Sequence, residues 1–340
     1  EWQSVRSATA KFPDHDWPRK PRWGYVNEAD PAVMALQIDA ACDHGVNTFI
    51  SDWYWYDERP FLEQCLNDGF LQAPNRARMR FFLMWANHDA TDLWDKRTSD
   101  HGGTVLWRGA VDRAAFEHMA TRLITRYFTQ PNYYRIDDKP VFQIYDIPGL
   151  VRGLGGMAAT RDALDWFRAE VMRHGFPGLH LLFTMWSEAA SNLSGVDSGK
   201  TVPASAFGDV LGFDSATHYQ YVHFTDIDRT YEAVFQDVAR EWAHLSQAFS
   251  FPYYPHVSIG WDNNPRFSGF RPGILRDNTP AQVEHALRAA KAYVDAHPLQ
   301  APLITINSWN EWTESSYLQP DDRYGYGYLE AVRRVFSGLA

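Results

Sequence analysis

Apolar and polar positions along this chain follow two periods. Short continuous apolar runs, of the length that suits buried strands, are separated by longer segments in which apolar residues recur every three or four positions. The runs are Val46 to Asp52, Met79 to Ala86, Pro140 to Tyr145, Leu179 to Met185, a weaker Val210 to Ala216, Tyr254 to Ile259 and Pro302 to Ile306. The helical pattern covers Pro31 to His44, a short Pro60 to Asn67, Val111 to Tyr127, Thr160 to His174, Arg229 to Phe249, Thr279 to His297 and Tyr326 to Phe336. Local punctuation agrees with these limits. Pro31 and Pro280 stand at first helical positions, Gly45 and Gly175 follow the ends of two helices, and Asp228 is placed to cap the helix after it. Glu1 to Arg22 is polar and Pro-containing, has no period, and reads as surface loop.

Strand and helix in regular alternation predict a parallel sheet with helical crossovers. Six of the seven runs end in Trp, Tyr, His, Asp, Asn or Glu. Such residues gathered at the carboxyl ends of parallel strands describe the working face of a TIM-type barrel. A doubly wound open sheet would show a Gly-rich turn of the type GxGxxG, and the chain has none. The expected fold is therefore an α/β (β/α)8 barrel, a single domain over residues 1–340 with no linker or repeat to divide it. A barrel of this kind closes with eight strands. With seven visible, the first strand is expected to be absent from this sequence or replaced by another segment.

Composition narrows the partners. The net charge of −10 argues against nucleic acid, whose phosphates require a basic face. No apolar run of about 18 residues exists, so no membrane span is expected, and no signal-peptide pattern stands at Glu1. Location stays open: secreted or periplasmic for a polysaccharide-degrading enzyme, cytoplasmic for a biosynthetic one. Cys42 and Cys65 read as free buried thiols. No CxxC or HExxH spacing is present, and neither metal nor cofactor is expected. Asp226-Ile-Asp228 has the DxD form of a nucleotide-sugar site, but helix capping explains it better. Fourteen tryptophans remain; core packing must account for most of them, and the stacking of sugar rings on flat aromatic faces is the other use for such a surplus.

The densest chemistry follows the last run. Glu311 and Glu314, three apart, point the same way in a helical turn, with Trp309, Asn310 and Trp312 beside them. Two acids between apolar walls allow one carboxyl to keep its proton while the other is ionised. Other strand ends supply Asp52, Trp53 and Trp55, Asn87 and His88, Tyr145, Trp186, His218 and Tyr219, Trp261 and Asp262 as candidate sugar contacts, with Tyr324 from the last loop. Glu188 reads equally as a solvated loop acid. The segment Asp89 to Gly109, with Trp94 and Trp107, is placed to wall one end of a cleft.

Several segments together resemble a known family. They are Glu1-Trp2 with Val5-Arg6, Gly24-Tyr25 with Asp30-Pro31, Met84-Trp-Ala-Asn87, Tyr134-Arg-Ile-Asp-Asp-Lys-Pro140, Gly260-Trp-Asp262, and Asn307-Ser-Trp-Asn-Glu-Trp-Thr-Glu314 leading to Pro320-Asp321 and Tyr324-Gly-Tyr-Gly-Tyr-Leu-Glu330. The chain resembles the WbsX-like proteins, or glycoside hydrolase family 99-like domain, related to the endo-α-mannosidases. The resemblance implies a (β/α)8 barrel and retaining hydrolysis of a glycan. It gives Glu311 the part of base on the sugar's own 2-hydroxyl, forming a 1,2-anhydro sugar, and Glu314 the part of proton donor and then activator of water. It also implies carboxyl groups about 5 Å apart. Two positions depart from the family: His88 stands where Glu usually follows Trp-Ala-Asn, and Gln319 where Leu-Glu-Pro is usual. The alternatives are a glycosyltransferase of polysaccharide biosynthesis and a non-catalytic carbohydrate-binding barrel. In each the partner is a carbohydrate, and the oligomeric state stays open.

Overall fold

Seven parallel strands form one continuous wall among the residues described in this computed structural model, which are 2–94, 98, 100, 103–187, 191–193 and 201–337. They are β1 (Thr48–Tyr56), β2 (Arg80–Trp85), β3 (Lys139–Ile144), β4 (His180–Met185), β5 (Ser215–His218), β6 (Tyr253–Tyr254 and His256–Ser258, interrupted at Pro255) and β7 (Thr305–Asn307). Each pairs in parallel with the next in sequence. Registers such as Thr48↔Arg80, Leu83↔Phe142, Val141↔His180 and Leu182↔Ser215 carry the wall to β5, and β6 joins β5 through one half and β7 through the other. This order never reverses, as it would at the switch point of a doubly wound sheet. All seven carboxyl ends therefore lie on one rim.

Inward burial follows the position of each strand. β3 and β4 are buried almost throughout, as strands covered on both faces must be. The first half of β1, Thr48 to Ser51, is only half-buried. The reason lies at its edge. β7 pairs with β6 alone, and the free edge of β1 carries only the short antiparallel piece Arg59–Phe61 at its upper end. Between β1 and β7 runs a cavity of about 850 Å³, lined by residues 45–54 on one side and 301–311 on the other. No strand among the described residues spans it. Residues 2–22, expected as loop, hold the helical turn Trp2–Arg6 and no strand.

Five local expectations are corrected. The weak fifth run splits: Val210 and Leu211 end the helix Phe207–Leu211, Gly212 closes it with φ 82°, and the strand begins at Ser215. The expected helix from Pro60 also splits. Asp57 and Glu58 take φ 51° and 58°, the two left-handed residues of a tight hairpin, so Arg59–Phe61 folds back on β1 before a helical turn at Cys65–Gly69. A helix at Ile147–Leu154 was not expected; Asp146 caps it by accepting from the Gly149 N–H. Thr230, not Asp228, caps the helix Tyr231–Ala248, and Asp228 pairs with Arg276 at 2.9 Å. Cys42 and Cys65 are free, with Cys65 exposed rather than buried.

Candidate active site

The turn after β7 is shaped by its neighbours. Asn310–Glu311 pairs antiparallel with Ser316–Tyr317, and a single helical turn, Trp312–Glu314, lies between them. Ser315 closes that turn in the left-handed region with φ 56°, its hydroxyl donating to the Asp262 carbonyl and accepting from Trp17 Nε1. Gly260 makes the fit possible, since a Cβ there would lie 2.4 Å from the Ser315 carbonyl oxygen. The Glu311 N–H donates to Ser308 Oγ at 3.0 Å, and the Asp262 N–H to the Glu314 carbonyl at 2.8 Å. Both acid-bearing backbones are thus fixed.

Arg266 joins the two side chains. Its Nη1 donates to Glu314 Oε1 at 2.7 Å and its Nη2 to Glu311 Oε1 at 3.1 Å. Its Nε donates to Thr313 Oγ1 at 3.0 Å, and that hydroxyl donates on to Glu311 Oε1 at 2.7 Å. The Glu314 carboxyl is pushed up to about 7, first by desolvation; Arg266 opposes the rise, while Glu311 and Asp52 add to it. At neutral pH, Glu314 is poised between acid and base.

Across the rim, β1 alternates. Asp52 and Tyr54 face the cavity, and Asp52 Oδ2 accepts from the Tyr219 hydroxyl at 3.0 Å. Asp52 faces the open part of the cavity, and desolvation by the surrounding cleft walls pushes it up to about 7; the Tyr219 hydrogen bond opposes this rise, while Glu311 adds to it. The Tyr219 ring meets Tyr145 at 5.1 Å, Tyr145 meets Trp186 at 5.2 Å and His88 at 5.7 Å, and Trp186 stacks on His223 at 4.6 Å. The cavity floor is polar. His218 donates to or accepts from Tyr253 Oη at 2.6 Å, and His256 pairs likewise with Thr305. Desolvation pushes His218 down to about 3 and His256 well below the usual range, so both rings are neutral.

The structure therefore places Asp52, His218, Tyr219, Trp309, Asn310 and Glu311 on the wall of one cavity, with Glu314 joined to Glu311 through Arg266 and with Tyr145, Trp186 and His88 packed as a chain of rings beside Tyr219. Other candidates fall elsewhere, each for a physical reason. Trp53 and Trp55 point away from Asp52, stack on one another at 5.6 Å and are buried against the helical layer, where Trp55 meets His118. They are core. Asn87 is a buried clamp, donating to the Asp146 carbonyl and accepting from the Asp146 N–H, both at 2.7 Å. Asp262 is buried under the site: it binds His15 Nε2 at 2.7 Å and accepts from the Asn264 backbone and side chain. Trp261 is half-buried against the core, and Tyr324 packs on Tyr328. Trp107 stacks on Tyr56 and meets Phe61 at a tilt, and it is not among the residues that line the cavity. Glu188 and the Trp94 side chain lie outside the described residues.

Sequence reasoning missed Arg266, whose only signal is a lone cation four residues beyond Gly260-Trp-Asp262. It also missed Glu28. This carboxylate accepts from Gln37 Nε2, Asn310 Nδ2 and Gln319 Nε2 at 3.1, 2.8 and 3.0 Å. Gln37 and Gln319 in turn accept from the indoles of Trp309 and Trp312, each at 2.7 Å. A glutamine at 319 donates to one partner and accepts from the other, which an ionised glutamate cannot do. Among the described residues no group of three or more His, Cys, Asp or Glu side chains is placed to hold a metal.

The profile of the family described as glycosyltransferase WbsX matches residues 1–332. The chain belongs to that family. Among curated relatives, the WbsX-family chain is similar to protein WxcX from two strains of Xanthomonas campestris pv. campestris, 27% identical over 356 residues and 99% of this chain. It spans about half of their length, 46%. Among solved structures, the WbsX-family fold is similar to the GH99 endo-alpha-mannosidase of Bacteroides thetaiotaomicron, with TM-score 0.60, 13% identity, and 94% of this chain and 83% of that one covered. It is similar also to a glycoside hydrolase-like protein, with TM-score 0.65, 15% identity, and 97% and 92% covered. At these identities the likeness is one of fold. No helix among the described residues is long and apolar enough to cross a membrane.

Proposed function

We propose that the chain is a retaining glycoside hydrolase acting on a glycan or polysaccharide, with Glu311 as base and Glu314 as acid. The observation that carries this reading is the pair itself: two carboxyls at the open rim, held by one guanidinium, the drier of them pushed up to about 7. Glu311 takes the proton of the sugar's 2-hydroxyl, whose oxygen attacks the anomeric carbon as the glycosidic bond breaks. Glu314 gives its proton to the leaving oxygen. Glu314, now ionised, takes a proton from water, the water oxygen opens the 1,2-anhydro ring at the anomeric carbon, and Glu311 returns its proton to the 2-oxygen. Two inversions give net retention. Asp52, Tyr219, His88 and Asn310 supply hydrogen-bonding groups for sugar hydroxyls, and Trp309 an apolar wall.

The fold proposed with it is one (β/α)8 domain, closed by an eighth parallel strand in the slot between β1 and β7. Hydrogen exchange tests this: with such a strand in place the edge amides of Thr48 to Trp53 are protected, and without it they exchange as exposed amides do.

A second reading, transfer from a nucleotide sugar, is favoured by the family's description. Incubation with a glycan panel, with and without nucleotide sugars, separates the two. Reducing ends released without a nucleotide sugar support hydrolysis; elongation that requires one supports transfer; binding with neither leaves a carbohydrate-binding barrel. Under the hydrolytic reading, Glu311→Gln and Glu314→Gln each lower activity by two orders of magnitude or more. An activated aryl glycoside rescues Glu314→Gln in part and leaves Glu311→Gln inactive. Normal cleavage of a 2-O-methyl substrate sinks the anhydro route.

A further inference from the structure

We propose that Arg266 is a positioning residue for the hydrolysis inferred above: it engages one oxygen of each catalytic carboxyl and reserves the other, Oε2, for the substrate. The contacts divide in that way. Glu311 Oε1 accepts from Arg266 Nη2 and from Thr313 Oγ1, and Glu314 Oε1 accepts from Arg266 Nη1. Among the described residues no hydrogen bond reaches Oε2 of either acid. A proton leaving a sugar hydroxyl thus goes to Oε2 of Glu311, and the proton for the leaving oxygen comes from Oε2 of Glu314.

The guanidinium is itself held from three sides. Its Nε is anchored on Thr313, which belongs to the same turn as both acids. Its backbone lies in the turn Asn264–Arg266, which is fixed from below. Asp262 accepts from the Asn264 N–H and side-chain amide, His15 binds the same carboxylate, and Asn264 Oδ1 accepts from the Arg271 N–H. Lys11 Nζ caps the following carbonyls of Phe267 and Ser268, each at 2.8 Å. A planar fork with five donors suits two carboxylates and a hydroxyl at once; an ammonium does not. Charge agrees with geometry. Arg266 is shared by Glu311 and Glu314, and the Asp52 carboxyl faces Glu314 as well, so a proton on Glu314 is favoured. The groups facing Glu314 are Arg266 from the turn below, Glu311 from its own turn, Asp52 from β1, Tyr145 after β3 and Tyr219 after β5.

The test compares Arg266→Met and Arg266→Lys with wild type by two readouts. Kinetics on a cleaved glycan are expected to show kcat reduced on the order of 100-fold in Arg266→Met with KM near wild type, because misplacing reacting groups by about 1 Å costs that much. The alkaline fall of kcat moves to higher pH, since Arg266 opposes the rise of Glu314. Arg266→Lys recovers part of kcat and part of the pH shift. The second readout is carboxyl titration by NMR with labelled glutamate, which needs no activity; the Glu314 midpoint rises in Arg266→Met. Wild-type kcat and midpoint in Arg266→Met overturn the proposal. So does a loss of kcat with an unmoved midpoint and no recovery by lysine, which marks a merely structural arginine. A wild type that cleaves nothing, with the midpoint still shifted by Arg266→Met, defeats the hydrolytic reading and leaves the pairing intact. Should Arg266→Met fail to fold, Thr313→Val removes the hydroxyl between Nε and Glu311 and is expected to lower kcat in the same sense; wild-type behaviour of both Thr313→Val and Arg266→Lys overturns the proposal.

Discussion

The ends of β1 and β7 flank the same slot and carry similar sequences, Asp52-Trp-Tyr-Trp55 and Trp309-Asn-Glu-Trp312. Their tryptophans have opposite fates. β1 stays extended, so its residues alternate strictly: Asp52 and Tyr54 face the cavity, while Trp53 and Trp55 go into the helical layer. After β7 the chain turns, and three-residue spacing takes over from alternation. Glu311 and Glu314 come to the same side under Arg266. Trp309 lines the cavity, and Trp312 packs on Tyr317 at 3.8 Å in a second small core with Trp17 and Val5. Identical residue types at strand ends therefore say little until the backbone period at that point is known.

Four substitutions put this contrast under strain, the most disruptive first. Trp53→Ala removes a fully buried ring and one donor to Glu63, and is expected to cost about 3–5 kcal/mol in chemical denaturation. Trp309→Ala, at the cavity wall, should cost less stability and more activity. Equal stability losses with equal activity losses would erase the distinction between the two strand ends. Next, Gln319→Glu restores the residue usual in the resembled family, but here it meets Glu28 and loses the donor between them. It is expected to cost about 1–3 kcal/mol near neutral pH. Two adjacent carboxylates resist joint ionisation, so the penalty shrinks as pH falls and one of them is protonated. A cost that does not change with pH would break this account. The smallest effect belongs to Trp55→Phe. The indole N–H of Trp55 is buried without a hydrogen-bond partner among the described residues, so losing it is expected to change stability by less than about 1 kcal/mol.

Much of the architecture was legible. Seven apolar runs are seven strands, because β2, β3 and β4 are covered on both faces and read as continuous apolar stretches. The fifth strand was misplaced because Val210 and Leu211 suit a strand by type, and only the left-handed Gly212 reveals the helix end. The acids were legible through their spacing. Arg266 was not, because it reaches Glu311 and Glu314 from 45 and 48 residues away. Asn87 and Asp262 were misread for the converse reason. A polar residue at a strand end looks like a ligand contact, yet here one binds the backbone of Asp146 and the other a histidine far away in the chain.

Glu28 has a consequence for how the slot behaves as a mechanical object. It and Gln37 precede β1, while Asn310 and Gln319 follow β7, so their hydrogen bonds lace the two flanks together at the rim. Below that lacing, backbone edges face one another across open space. The seam is a cuff buttoned at the top, with the Phe49 ring of β1 meeting Trp309 at 5.0 Å below. Widening or filling of its lower part is expected to be taken up beneath the button and to leave the spacing of the two acids unchanged.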